Sequence, residues 1–325
     1  MTPAEQRLRQ LLAEGVLDLP RPAGGATAER FRDLHDLASR EDLSVARLAE
    51  AHADAAAIVA EAGRSLPADS LAGVWASRYG GSDIDAEQTS AGWHVTGRLR
   101  FCSGAPLLDV ALVDAARPDG RRQLLVVPLR TAGITIDMTR WHTGALASTA
   151  TASVTFDVEV SDGAAIGDAN FYLDRLGFWH GGIGVAACWA GGASAVHEAT
   201  LAHAPPDQPH AAANVGRTAA ECWGMGALLA RAGHDIDAAP ASVDRPYALM
   251  VRQLVAAACE RVVAASRRAT GPGPYVFDPD HARRVDDLIL YVEQQHHEID
   301  LADVGETALR RRSGIPLMQE PHRGR

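Results

Sequence analysis

Hydrophobic residues recur at three- and four-residue intervals through the first sixty positions of the chain. Leu8, Leu11, Leu12 and Val16 lie at helical spacing until the stretch from Pro20 to Gly25 breaks the pattern. Leu34 and Leu37 carry a second helix from about Thr27 to Ser39. A third starts near Asp42 or Ser44, either of which can cap it, and runs through Leu48, Ala55 and Ile58 to Gly63. From about Leu71 the period changes to two. Short runs at Trp93–Gly97, Val110–Val113, Leu124–Val127 and Ile134–Ile136, and the strictly alternating Ser153–Val160, predict an antiparallel sandwich or barrel of about ninety residues. After Gly167 the helical period returns in four long segments, roughly 169–203, 210–233, 241–270 and 279–303. Prolines at 205–206, 240 and 272–274 separate them, as in an up-and-down bundle.

The fold class predicted is α+β, mostly α: N-terminal helices over 1–66, a β domain over 67–165, a four-helix bundle over 166–305 and a loose tail over 306–325. Strands grouped between helical blocks exclude a doubly wound α/β sheet, which interleaves them. A chain of 325 residues is long enough for two or three domains around a large core.

Charge narrows the partners. Every basic residue is Arg, and 31 of them against 41 acids leave a formal charge of −10, which disfavours nucleic acid and anionic membrane surfaces. No apolar run nears the roughly 20 residues of a membrane span. The N-terminus carries acids where a signal peptide has an apolar stretch, so a cytoplasmic location is expected. The absence of lysine excludes Schiff-base and phosphate-loop lysine chemistry. Cys102, Cys188, Cys222 and Cys259 form no close pair and read as buried free thiols. Thirteen histidines include no HExxH spacing, and the adjacent His296 and His297 point about 100° apart on a helix, so no metal site is expected. Gly182-Ile183-Gly184-Val185-Ala186-Ala187 matches a dinucleotide fingerprint. It sits inside a helical stretch without a preceding strand, and reads as tight helix packing. Gly191-Gly192-Ala193-Ser194-Ala195 lacks the closing glycine of a hydrolase nucleophile elbow.

Three stretches resemble the acyl-CoA dehydrogenase superfamily across about Leu19 to Gly305. Gly92-Trp93-His94-Val95-Thr96-Gly97-Arg98-Leu99-Arg100-Phe101-Cys102-Ser103-Gly104 resembles the strand pair that lies against the flavin. Residues 141–149 (WHTGALAST) followed by 154–160 (VTFDVEV) resemble the next conserved segment, and the bundle ending in Arg283-Arg284-Val285-Asp286-Asp287-Leu288 resembles the third. The resemblance implies FAD and an acyl thioester whose α-proton goes to a carboxylate while a hydride leaves Cβ for flavin N5. It also implies an electron-transfer flavoprotein as acceptor and a homo-dimer or tetramer.

By the same resemblance Ser103 supplies a hydroxyl near N5, with Phe101 and Cys102 placing backbone beside the ring and Trp141 and Thr143 completing the cofactor contacts. A serine in a strand-ending turn is the alternative for Ser103. Asp174, in Leu173-Asp174-Arg175-Leu176, stands where one branch of the family keeps its glutamate base. It is a base, a base shortened by one methylene, or a first-turn acid that stabilises its helix. Ser82, Arg175 and His180 are the implied substrate contacts. The chain departs from the family pattern in the Thr-Glu-Pro portion of one loop, present here as Ala76-Ser77-Arg78, and in the RxxFG segment, absent between His203 and Arg217. A scaffold without catalysis and a flavin-dependent oxygenase are the rival functions.

Overall fold

Side-chain caps set the first three helices. Thr2 accepts from the Glu5 N–H to open α1 (Pro3–Ala13), and Asp42 accepts from the Ser44 N–H to open α3 (Leu43–Glu61). Between them α2 (Thr27–Arg40) borrows its cap from far along the chain, from Asp237. In this computed structural model residues 1–78, 80 and 83–311 are described. The sheet that follows contains β1 (Ala72–Trp75), β2 (Asp83–Thr89), β3 (Gly92–Cys102), β4 (Val110–Ala116), β5 (Arg122–Pro128), β6 (Ile134–Asp137), β7 (Ala152–Val160) and β8 (Ala165–Ile166). After the short α4 (Phe171–Asp174) come α5 (Gly177–His203), α6 (Pro209–Ala238) and α7 (Arg245–Thr270). The chain continues through α8 (Gly273–Phe277), α9 (Pro279–Val292) and α10 (Glu298–Arg311).

The fold class is α+β, mostly α, with the helices on either side of the sheet in sequence. The strand order is β6-β7-β3-β2-β4-β5-β8, with β1 joined to β4. Most neighbours are antiparallel as expected, but β1 runs parallel to β4 and β2 touches β4 in parallel at Asp85–Ala116. A parallel partner needs no hairpin, so turn signals gave no sign of it.

Several boundaries differ from the periodicity. The helix expected over 169–203 is broken at Arg175, whose backbone is extended. Glu61 explains the break: its carboxylate accepts from the Gly177 N–H at 3.0 Å and from Arg175 at 3.1 Å, so it caps α5 from outside the helix. The segment expected over 279–303 is two helices, because the turn at Gln294–His297 includes His297 at φ +41°. Helix α6 runs on to Ala238. Helix α10 continues to Arg311, so residues 306–311 of the expected loose tail are helical; the rest of that tail lies outside the described residues.

Helix α2 lies against α5 and α6, which places an N-terminal helix in the bundle. A Cβ on Gly191 would come within 2.1 Å of the His35 carbonyl oxygen, and one on Gly233 within 2.5 Å of the Ala28 backbone. Glycine at these positions lets the helices touch backbone to backbone. At Gly184 the close neighbour is a side chain, Leu34 at 3.3 Å from the Cβ position, which agrees with the helix-packing reading of that run. Helix α3 is buried almost all round because one side faces the sheet and the other faces α5. Its Leu48, His52, Ala55 and Val59 fall on the sheet side, where His52 Nδ1 accepts from the Ala72 N–H.

Candidate functional site

Strand register brings the segments of interest to one end of the sheet. Asp83, the first residue of β2, pairs with Arg98, and Cys102 at the end of β3 pairs with Ala152 at the start of β7. Asp137 at the end of β6 pairs with Ser153. The chain entering β2, the residues leaving β3 and the connection from β6 to β7 therefore emerge side by side. Ser82 lies outside the described residues.

Between Leu99 and Cys102 the β3–β7 pairing slips, and Phe101 takes φ +59°. This left-handed residue in a bulge turns its aromatic ring out of the sheet, leaving Phe101 50% exposed. Cys102 points the other way, into the core, where burial pushes its thiol up to about 12; only its backbone is available at the sheet end. Ser103 is half-buried. Its carbonyl accepts from the Trp75 indole N–H at 3.1 Å, and its hydroxyl accepts from the Thr151 hydroxyl at 3.1 Å. Thr151 in turn lies 2.7 Å from the Thr149 hydroxyl.

The connection over 138–151 is braced from several sides. The Trp141 indole donates to the Ala145 carbonyl, and the Thr143 hydroxyl accepts from the Ala145 N–H, each at 3.1 Å. Both side chains thus shape the loop, with Thr143 exposed and Trp141 partly buried. Asp287 of α9 accepts from the Leu146 N–H at 2.6 Å, and the Gly104 N–H donates to the Thr149 carbonyl at 2.7 Å. Burial raises the pKa of Asp287 against the opposing effects of that N–H and of Arg283. The bundle, the loop and the end of β3 are thereby tied into one cradle.

Asp174, Arg175 and His180 lie elsewhere. Asp174 ends α4 with its side chain exposed. Arg175 is buried on Glu61, stacked over the Tyr172 ring, and lines a cleft of about 240 Å³ together with Glu61, His180 and the 21–24 turn. His180 Nε2 donates to the Pro240 carbonyl at 3.1 Å, and burial lowers its pKa. Helix α3 measures the separation of the two regions. Leu48 touches the Gly104 position, Glu61 holds Arg175, and the helix rises about 20 Å from the one to the other.

Thr149 and Asp287 lie in the stretches that carry the resemblance but were assigned no role there, and neither Thr151 nor Glu61 was singled out. The Thr-x-Thr spacing directly before β7 was the available signal for Thr149 and Thr151, since alternate residues share a face. Among the described residues no group of three or more His, Cys, Asp or Glu is placed to hold a metal ion, and no helix is long and apolar enough to cross a membrane. Cys102, Cys188 and Cys259 are buried free thiols; Cys222 is free and half-buried.

Helices, a mostly antiparallel sheet and a helical bundle, with the cradle at their junction, constitute the acyl-CoA dehydrogenase fold. Solved structures share it over nearly their full length. FkbI, for biosynthesis of the methoxymalonyl extender unit of the Fk520 polyketide immunosuppressant, matches with a TM-score of 0.79 and 17% identity over 94% of this chain and 93% of that one. The FAD complex of PigA matches at 0.76 and 16% over 94% and 90%. Dibenzothiophene monooxygenase TdsC from Paenibacillus sp. A11-2 matches at 0.74 and 17% over 98% of each chain. No protein-family model matches the chain, and no curated protein matches it in sequence.

Proposed function

We propose that the chain is a flavin-dependent oxidoreductase that holds FAD at the sheet-end cradle and dehydrogenates an acyl thioester between Cα and Cβ. The observation that carries this reading is the convergence of Phe101–Ser103 with the 141–151 connection at one end of the sheet. The residues present fit a flavin ring: a half-exposed aromatic side chain at Phe101 in the bulge and a half-buried hydroxyl at Ser103, at the same end of the sheet as the 141–151 connection. PigA, on the same fold, is solved with FAD. Bound flavin supplies hydride acceptance, which no side chain of this protein can provide. Ser103 and Phe101 would hold the flavin, and Trp141 and Thr143 would fix the loop beside it. Asp174 is the candidate base, with Arg175 and His180 as substrate contacts. An electron-transfer flavoprotein as acceptor and a homo-oligomeric assembly complete the reading.

A second reading, a flavin-dependent oxygenase, is favoured by one observation. Asp174 ends α4 with its side chain exposed, next to the Arg175 that binds the Glu61 end of α3, whereas Leu48 near the other end of α3 meets the cradle at Gly104, and oxygen transfer needs no carboxylate base at the ring. TdsC is a monooxygenase on this fold. The test is the visible spectrum of the purified protein before and after incubation with FAD and gel filtration. Retained flavin, lost in Ser103→Ala, supports both readings. Thioester bleaching of the flavin then selects dehydrogenation, and oxygen consumption in step with reduced flavin selects oxygenation. A protein that stays colourless overturns both.

A further inference from the structure

Helices α2 and α5 meet backbone to backbone at Gly191, whose Cβ position lies 2.1 Å from the His35 carbonyl oxygen. Ser194 is one turn further along the same face of α5, and there its hydroxyl lies 2.9 Å from His35 Nε2. The other ring nitrogen, Nδ1, lies 3.0 Å from one carboxylate oxygen of Asp36, and the second oxygen of Asp36 pairs with Arg40 at 3.1 Å. A carboxylate has no proton to give, so Nδ1 carries the hydrogen and Nε2 of the neutral ring is left as an acceptor. The Ser194 hydroxyl is its donor. The half-buried Cys222 thiol of α6 also contacts Ser194, but sulfur is a weak acceptor and does not compete with imidazole for the one hydroxyl proton. Burial raises the Cys222 pKa, against the opposing hydrogen bond with Ser194, and keeps it a neutral thiol.

A serine, a base within hydrogen-bond reach and a carboxylate that orients the base form the arrangement that activates a hydroxyl, and it is defined by geometry rather than by a motif. The run Gly191–Ala195 shows no nucleophile elbow because the partner of Ser194 stands 159 residues earlier, on α2. His35 and Asp36 line a cavity of about 580 Å³ between α2 and α6. Gly226, one turn along α6 from Cys222, lines it too, and a Cβ there would meet nothing within 4 Å, so the approach from α6 is open. Arg32, one turn back from His35, adds a cation to the same wall, suited to the charge that develops on an ester carbonyl.

We propose that Ser194 is a nucleophile that hydrolyses small carboxylic esters, with His35 as its base and Asp36 as the residue that positions the ring. The site shares no residue with the flavin cradle and does not rest on the flavin reading. Ser194 Oγ bonds to the carbonyl carbon as its proton passes to His35 Nε2; the bond from that carbon to the alcohol oxygen breaks, and the alcohol leaves with the proton. Water then adds to the acyl carbon, giving a proton to Nε2, and the acid departs as Ser194 takes the proton back.

The experiment treats the full chain with diisopropyl fluorophosphate and maps the label by peptide mass spectrometry, then follows p-nitrophenyl acetate hydrolysis. The label is expected on Ser194, with fluoride released. His35→Gln is expected to slow labelling by at least about 100-fold, the worth of a general base. Asp36→Asn is expected to lower kcat for the ester with KM unchanged; a change in KM alone removes Asp36 from the role. Ser194→Ala is expected to lose both the label and the turnover. An unlabelled Ser194, a label on Cys222 instead, equal labelling in H35Q, or undiminished turnover in S194A overturns the proposal. The mapping uses the wild type, so a variant that fails to fold leaves the assignment open to refutation.

Discussion

Asp237 joins the end of α6 to the start of α2 across more than two hundred residues, so its removal should loosen α2 before any other helix. One carboxylate oxygen accepts from the Gly25 N–H at 3.0 Å and the Thr27 hydroxyl at 2.6 Å; the other accepts from the Thr27 N–H at 2.8 Å. Thr27 is fully buried, so its donors have no ready replacement from solvent. A lost helix cap costs about 1 kcal/mol, and the remaining charged hydrogen bonds, partly exposed on the Asp237 side, bring the total for Asp237→Ala to about 2–3 kcal/mol. For a chain of this size that corresponds to a melting temperature lower by about 3–5 °C. Asp237→Asn keeps one acceptor oxygen and should lose roughly half as much. Burial pushes the Asp237 pKa upward, but the Thr27 and Gly25 donors outweigh it and hold the folded-state value below the ordinary carboxylate range. The contribution is therefore complete above the unfolded-state pKa and disappears as pH falls through the depressed value. The assay is thermal unfolding by circular dichroism at neutral and acidic pH, with hydrogen exchange on the 25–40 segment. A D237A protein that melts with wild type at neutral pH, or exchanges no faster in that segment, refutes the reasoning.

Three further outcomes are expected. Gly191→Ala should destabilise by about 3 kcal/mol, because the added carbon meets the His35 carbonyl at 2.1 Å, while Gly216→Ala, with open space around it, should stabilise by about 0.5–1 kcal/mol; paired urea titrations decide. Glu50 is buried between α3 and α5, and desolvation lifts its pKa to about 7 despite Arg47 at 3.0 Å. An acid whose folded pKa is raised costs stability as pH climbs from the unfolded value to the folded one. The difference between the wild-type and Glu50→Gln stability curves should accordingly shift between about pH 4.5 and 7 and be flat above, and a difference constant with pH would contradict it. Asp174→Asn should retain bound FAD and lose its bleaching by thioesters; unchanged bleaching removes Asp174 from the mechanism.

What could be read from sequence follows the strength of local pattern. Ser153–Val160 alternates strictly and became β7; the long apolar helices became the bundle. Strand β1 was missed because Ala72–Trp75 has four residues, three of them buried, and so shows no alternation. In β2 only Ile84 and Ala86 are buried apolar positions, too few to stand out from the acids around them. The break at Arg175 depends on Glu61, 116 residues before Gly177, and a window of local sequence contains no trace of such a partner. The same limit applies to the cradle. The motif containing Ser103 is continuous in sequence and could be found, whereas Thr151, 48 residues further on, meets it only in the fold.

The geometry of α3 bears most directly on the chemistry. One face of this helix packs on the sheet near Ser103, and its far end holds Arg175, so the helix touches both the cradle and the segment that follows Asp174. Proton abstraction needs heavy atoms within about 3 Å of the substrate carbon's proton, while the ring must meet the adjacent carbon from the other side. The backbone of α3 rises about 20 Å from Leu48, which meets the cradle at Gly104, to Glu61, which holds Arg175. Dehydrogenation with Asp174 as base requires a ring that reaches from Ser103 toward α4, whose helical turn ends at the extended Arg175. Oxygen transfer makes no such demand on the fold. A flavin held at the cradle would serve both chemistries, and the need for a base beside it is where they part.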